Sequence, residues 1–515
     1  MRSLVWAFVA VGTLGLAGCT PLSDYVHNGF KVGPNYCQPA APVAPHWIDE
    51  HDKRIRTDTE GLNQWWTVLN DPVLNSLVEC AYRQNLTLRE AGFRVLEARA
   101  QRGIVTGNLF PQSQTSSGGY TREALSETVA NRVGTPDRWF DQWNYGFGLG
   151  WELDFWGRFR RAVEVADAEL NASVADYDDV LVTLLADVGT NYVEIRTLEK
   201  RLKFAQASVQ LFEEILRIPE ARYKADAKNR VSYDLAKANL AEAQALVPQL
   251  EVSRRQAENR LCILLGMPPQ DMQQRLGAGA IPKPPLEVVV GIPADLLRRR
   301  PDVRRAECQA AAQCAQIGVA ESDFYPQMSI TGTLGWSSRD LTDMFAYRSF
   351  RGTVGPGFQW NILNYGRILN NVRFQDARFK ELVTQYQSTV LKAGGEVESS
   401  LIEFVKSQQR AKALNTSAEC WRDGTTLLAA QYRGGLIDFL PLAYFEQNLI
   451  AQQDQATQAQ GDIPLALIEV YRALGGGWQI RLETETRADE SPGPDSSSSI
   501  PPENAPAEVV PAPRP

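Results

Sequence analysis

From Gln142 to Leu153 the chain reads QWNYGFGLGWEL. Trp143, Tyr145, Phe147, Leu149, Trp151 and Leu153 alternate with Gln142, Asn144, Gly146, Gly148, Gly150 and Glu152. A strict period of two puts the large apolar groups on one face of a strand and the small or polar ones on the other. Soluble sheets alternate too, but seldom set an aromatic-rich face against one nearly without side chains. A membrane barrel needs that pairing, because one face meets lipid and the other a wet lumen. Twelve residues at about 3.3 Å each reach roughly 40 Å, which exceeds the 9–11 tilted residues, roughly, of one crossing.

The stretch has an echo at Phe350–Ile362, FRGTVGPGFQWNI, where Phe350, Val354, Phe358, Trp360 and Ile362 share a parity. Gly148 matches Gly357 and Trp151 matches Trp360, an offset of 209 residues. The same offset pairs Gly157-Arg158 with Gly366-Arg367, Tyr177 with Tyr386, Tyr223 with Tyr432, and Leu265-Gly266 with Leu474-Gly475. Upstream an offset of 215 pairs Arg89 with Arg304, Gly103 with Gly318 and Gln112 with Gln327. The chain is therefore a tandem duplication, and the architecture of one half must be that of the other. The first half carries six extra residues between its strands, in the polar stretch Glu123–Asp141.

Each half reads as helix, β-hairpin, very long helix, turn and return helix. The leading helices cover Asp71–Phe110, with Asp71 as cap, Pro72 at the first helical position and a break near Asn85, and Arg300–Tyr325. Strands are expected at about 112–121, 142–153, 327–337 and 350–363; the first is Ser/Gly-rich and rests on the duplication. Arg158–Leu216 holds no proline and reads as one helix of roughly 60 residues, about 90 Å long. Its counterpart is Arg367–Arg433, loosened at Gly394-Gly395. Return helices follow at Val231–Leu265 and Leu440–Leu474. The domain plan is 1–18 signal peptide, 19–63 extended strap, 64–276 first repeat, 277–293 Pro/Gly linker, 294–478 second repeat and 479–515 tail without the apolar content to fold.

Composition narrows the function. The net charge is −8, which argues against a nucleic-acid partner. Beyond the N-terminus no apolar run is long enough for a membrane helix, so any crossing must be by strands. His27, His46 and His51 are the three histidines, which leaves the body of the chain without a His-based catalytic or metal centre. The seven cysteines form no CxxC or metal spacing, and no cofactor motif stands out. At the N-terminus Leu16-Ala17-Gly18-Cys19 follows an apolar run, the pattern of a lipobox that would leave Cys19 acylated and tethered to a bilayer.

Four strands cannot close a barrel, and hydrocarbon does not tolerate open sheet edges. The chain must then assemble, and three copies, giving twelve strands, suit a glycine-rich lumen better than a side-chain-filled eight-stranded barrel. The lipobox, the strap Val32-Gly33-Pro34-Asn35-Tyr36, the Pro-Gln strand starts and the Trp-x5-Gly-Arg strand exits together resemble the TolC-like, NodT-type outer-membrane efflux lipoproteins over roughly Cys19–Gly475. The resemblance implies a mainly α fold of two tandem repeats and a trimeric 12-stranded β-barrel continuing into a periplasmic α-helical barrel. It implies a passive exit duct for drugs or other toxic small molecules, with a periplasmic adaptor and an inner-membrane pump, often of the resistance-nodulation-division class, as partners. On the strands, Trp143, Tyr145, Phe147, Leu149, Trp151, Phe358 and Trp360 are the lipid-facing candidates. At the tip of the second helical hairpin the resemblance assigns adaptor contact to Tyr432, Gly435 and Leu436, with Asp438 beside the aperture. The first tip keeps Tyr223 but has Asp226-Ala227 in place of Gly-Leu, and Tyr444 stands where Asp is common in the family. The tip from Tyr432 to Tyr444 is expected to close the tube at rest. Competing readings are a protein-secretion duct, against which the lipobox speaks, and a poreless periplasmic coiled-coil spacer, against which the strands speak; an enzyme has no constellation to support it.

Overall fold

The computed structural model describes residues 22–56, 63–126, 128, 137–225, 230–295 and 299–482. The lipobox with Cys19, the Asp226-Ala227 tip and the segment beyond 482 lie outside the described residues.

The strands are β1 (Ile55–Arg56), β2 (Ser113–Ala124), β3 (Trp139–Leu153), β4 (Val288–Val289), β5 (Gln327–Ser338) and β6 (Phe350–Gln359). β2, β3, β5 and β6 form one antiparallel four-stranded sheet in chain order. The first hairpin is taller than the sequence suggests. Its strands run on through Ala124 and from Trp139, so part of the six-residue surplus is strand, not loop. β6 stops at Gln359, short of the expected residue 363.

Two leading helices, Pro72–Gln84 and Leu86–Gly107, are joined at Asn85, whose side chain accepts from Leu88 N at 2.8 Å and caps the second. Asp71 caps the first through Val73 N and Leu74 N and also accepts from the Tyr192 hydroxyl at 2.6 Å. The first long helix, Arg158–Ala225, has 68 residues, about 100 Å at 1.5 Å per residue. It passes through Pro219, whose ring is buried, so packing offsets the lost backbone hydrogen bond that normally ends a helix. The second long helix, Arg367–Arg433, is continuous through Gly394-Gly395, contrary to the expected loosening. Neither glycine adopts positive φ, and buried Val390, Ala393 and Val397 hold that turn, outweighing a propensity cost of about 1 kcal/mol per glycine. The return helices are Arg230–Leu264 and Phe439–Ala473.

The second leading helix, Pro301–Ser322, packs against both long helices, whereas Leu86–Gly107 packs mainly against the first and leaves Phe93, Leu96 and Ile104 exposed. The main core lies where the first long helix meets the return helices. Leu181, Leu185, Tyr192, Ile468 and the Trp65–Tyr471 stack, with ring centroids 5.7 Å apart, are buried there. The linker is structured. Val288-Val289 pair in parallel with Ile55-Arg56, so linker and strap form a small sheet on the helical body. The fold also continues past Trp478: Arg481 is buried and its Nε donates to Asp178 Oδ1 at 3.0 Å. Among the described residues no helix is long and apolar enough to cross a membrane.

Candidate functional site

Function must be sought at the two ends of this elongated body. At the sheet end, register decides which side chains share a face. Tyr145 lies opposite Trp336, Phe147 opposite Leu334, Trp151 opposite Ile330, Met328 opposite Phe358 and Tyr120 opposite Trp143. Partners in an antiparallel pair point to the same side, so Trp143, Tyr145, Phe147, Leu149, Trp151 and Phe358 gather on one face. The other face holds Gly146, Gly148, Gly150, Thr115, Thr331, Thr333 and Thr353. Aromatic rings cluster at both ends of the apolar face. Near the hairpin turns Tyr120–Trp143, Tyr145–Trp336 and Trp336–Phe350 approach to 4.7, 6.4 and 5.9 Å. Near the helices Trp156 stacks on Tyr325 at 4.5 Å and contacts Tyr25 at 5.6 Å. Two aromatic girdles with aliphatic and phenyl groups between them are the profile of a lipid-facing barrel wall. Sequence reading missed the lower girdle, because Tyr25, Trp156 and Tyr325 belong to three segments.

Trp360 lies just outside β6, and its indole N–H donates to Phe324 O at 2.9 Å. Trp151 donates to Leu109 O at 3.4 Å, and these pairs are counterparts in the duplication. Both tryptophans therefore tie strand exits to the ends of the leading helices. Immediately after them Gly157 and Gly366 take φ of 82° and 80°, a left-handed turn that an L-side chain resists. Lys31 packs where a Gly157 Cβ would stand. From there the strap is fixed. Buried Arg161 donates to Val32 O at 3.0 Å, Gly33 O at 2.9 Å and Asn35 Oδ1 at 3.0 Å, while Gly33 lies against Gly318.

At the opposite end the second hairpin closes as a Schellman turn: Leu436 N donates to Gln431 O and Gly435 N to Tyr432 O, both at 3.0 Å, with Gly435 at φ +74°. Leu436 is 78% exposed. Asp438 is exposed at the N-cap position, but its side chain makes no cap hydrogen bond. Tyr432 is only 2% exposed. It packs on Phe439 at 5.6 Å, under the Arg222 guanidinium at 5.0 Å, in a cluster with Phe212, Ile215 and Leu442. It therefore joins one hairpin to the other. Burial raises its phenol above the ordinary value, and its hydroxyl has no hydrogen-bond partner. Tyr223 stacks on Tyr233 at 5.1 Å within the first hairpin, so the two duplicated tyrosines are used differently. Among the described residues no group of His, Cys, Asp and Glu could hold a metal ion.

A strand sheet with a lipid-type face, joined directly to helices about 100 Å long that end in packed tips, defines a channel-forming outer-membrane protein with a large periplasmic helical part. The chain belongs to the outer membrane efflux protein family, whose pattern it matches over residues 77–267 and 292–476. It is 28% identical to nodulation protein T of Rhizobium leguminosarum bv. trifolii over 89% of this chain and 97% of that protein. It is also 28% identical to the outer membrane protein OprJ of Pseudomonas aeruginosa over 87% of this chain and 93% of that one. Among solved structures it superposes on the outer-membrane channel OprN with a TM-score of 0.80 at 31% identity, covering 87% of this chain and 99% of that one. The CmeC channel of Campylobacter jejuni shares the fold, with a TM-score of 0.81 at 21% identity, over 89% and 98% of the two chains. The protein is an outer-membrane efflux channel of the TolC-like family.

Proposed function

We propose that three copies of this chain form a 12-stranded barrel and a continuous helical tube that serves as a passive exit duct for small molecules. The observation that carries the reading is the sheet: one lipid-type face, flanked by two edges, β2 and β6, that have no neighbour within the described chain. In hydrocarbon such edges must be paired. The exposed apolar side chains of the first leading helix match those of the second long helix, Leu369, Phe374 and Leu391, as surfaces for adjacent copies. Trp143, Tyr145, Phe147, Leu149, Trp151 and Phe358 then meet lipid, with Trp360 at the inner boundary. Cys19 is the acylated residue. In support, Tyr25 of the short helix Leu22–His27, six residues after Cys19 in the sequence, is docked on the lower girdle, the level at which an inner-leaflet acyl chain would enter.

A periplasmic adaptor engages the tips, where Leu436 and Gly435 are exposed and Tyr223 and Tyr432 stiffen the two hairpins. An inner-membrane pump, of the resistance-nodulation-division class, supplies cargo and energy. Three Asp438 carboxylates line the aperture. Relatives named for pyoverdine export and for solvent and toluene efflux support a small-molecule cargo. Native mass spectrometry of the detergent-solubilised protein tests the assembly. A trimer is expected; a stable monomer that protects all four strands from proteolysis would overturn it.

A further inference from the structure

One carboxyl group near the tips serves no function described so far. Glu446, on the second return helix, is 1% exposed, and its Oε1 has no hydrogen-bond partner. It forms part of the wall of a cavity of about 310 Å³ shared with Ser208, Phe212 and Ile215 of the first long helix and Thr425 and Ala429 of the second. The cavity borders the cluster that packs the two hairpins together, since Phe212 and Ile215 also belong to the group around Tyr432.

The charged and titratable neighbours are few. From the second long helix Arg422 and Arg433 reach the rim, both exposed, and Tyr432, whose hydroxyl is unpartnered, lies outside the wall but near enough to interact electrostatically with Glu446. From the first long helix Arg222 lies over the Tyr432 ring. No ionisable side chain of the first return helix lines the cavity. Among the described residues Glu446 forms no ion pair, the two rim arginines staying exposed to solvent, and isolated buried carboxylates are strongly disfavoured. Burial alone moves its pKa up from 4.5 to about 8.

We propose that Glu446 is a proton-operated latch between the two hairpin tips: neutral while they are packed together, ionised when they part and water reaches it. Whether the latch controls conduction rests on the reading of the tips as the aperture; the proton linkage does not. The sign is fixed by which state holds the proton. Below pH 4.5 both states are protonated and the linkage is flat. Between 4.5 and about 8 the packed state holds one more proton per chain, so each pH unit upward favours parting by up to tenfold. Above that window the effect saturates.

The test uses the full-length trimer in detergent. Hydrogen exchange of the amides from 432 to 446, corrected for intrinsic rates, is followed from pH 5.5 to 8.5. Protection should fall towards the tenfold-per-unit limit in the parent and stay flat in Glu446→Gln, which keeps shape but cannot ionise. Glu214→Gln, altering an exposed carboxylate of the first long helix, should keep the parent slope. A flat parent profile overturns the latch without any variant, and so does a Glu446→Gln profile with the parent slope. Single-channel conductance over the same range separates the two readings. If exchange follows pH and conductance does not, the latch stands and the tip is not the aperture.

Discussion

Replacing Tyr432 by alanine should part the tips. Its ring is buried against Phe439 and Arg222, and truncating a buried aromatic costs about 3–5 kcal/mol. The local packing between the hairpins carries most of that loss. At about 1.4 kcal/mol per factor of ten, even the lower figure shifts the packed–parted equilibrium roughly a hundredfold. Tyr432→Phe isolates the hydroxyl, which is buried without a partner. Removing an unsatisfied polar group relieves a desolvation penalty of about 1–3 kcal/mol, so this variant should match or exceed the parent. Hydrogen exchange at 432–446 reads the order directly, and conductance in planar bilayers reads its effect on the duct. The expected order of protection is Phe at or above parent, with Ala far below. If Phe were as loose as Ala, the hydroxyl would be bonded in the assembled protein and the core role assigned to the ring would be wrong. If Ala were as protected as the parent, Tyr432 would not join the hairpins at all.

Two further predictions concern the strap. A Cβ at Gly318 would stand 2.8 Å from Val32 O and 2.9 Å from Arg161 Nε, whereas Gly103, its duplicate, has nothing within 4 Å. Gly318→Ala should therefore free residues 31–36 to limited proteolysis while Gly103→Ala leaves the strap protected; equal protection in both variants would refute the docking. Mass spectrometry of the mature N-terminal peptide should find acylated Cys19, and Cys19→Ala should abolish acylation while the trimer still forms; an unmodified Cys19 in the parent counts against the lipobox.

What was legible in the sequence followed from periodicity and duplication. β3 and β5 show in their alternation, because side chains on a lipid-facing strand are sorted by face. β2 does not: SQTSSGGYTREA carries little apolar signal, and only its counterpart in the second half marks it as a strand. The long helices were visible, but the reading ended the first at Leu216, short of Pro219, and expected the second to loosen at Gly394-Gly395. Pro219 and Gly394-Gly395 are overridden by packing along neighbouring helices, which no window of sequence reports. The lower girdle and the Asp178–Arg481 pair join residues far apart in sequence, so they had no local signature. Glu446 did have one. It follows Phe439 by seven and Leu442 by four residues, which puts a carboxylate on the apolar stripe of its helix.

The duplication also constrains how copies meet. Within one chain the second strand of the first half, β3, pairs antiparallel with the first strand of the second half, β5. The second leading helix likewise lies between the two long helices. The two halves share topology, so the same operation applied at the chain's ends sets β6 beside β2 of the next copy. It also sets the first leading helix between its own long helix and the neighbour's second one. The features left exposed by a single chain are the ones that operation covers: both sheet edges, Phe93 and Ile104 on the leading helix, and Leu369 and Phe374 on the long helix. A head-to-tail contact of this kind must either close into a ring or grow without limit. The six-residue surplus of the first half lies between β2 and β3, in strand ends and loop at the end of the sheet away from the helices, so it leaves this contact unaltered. In such a ring the small-residue face of β3, with Gly146, Gly148 and Gly150 beside Thr115, Thr331 and Thr353, would recur in every copy and give the proposed duct a thin, polar wall.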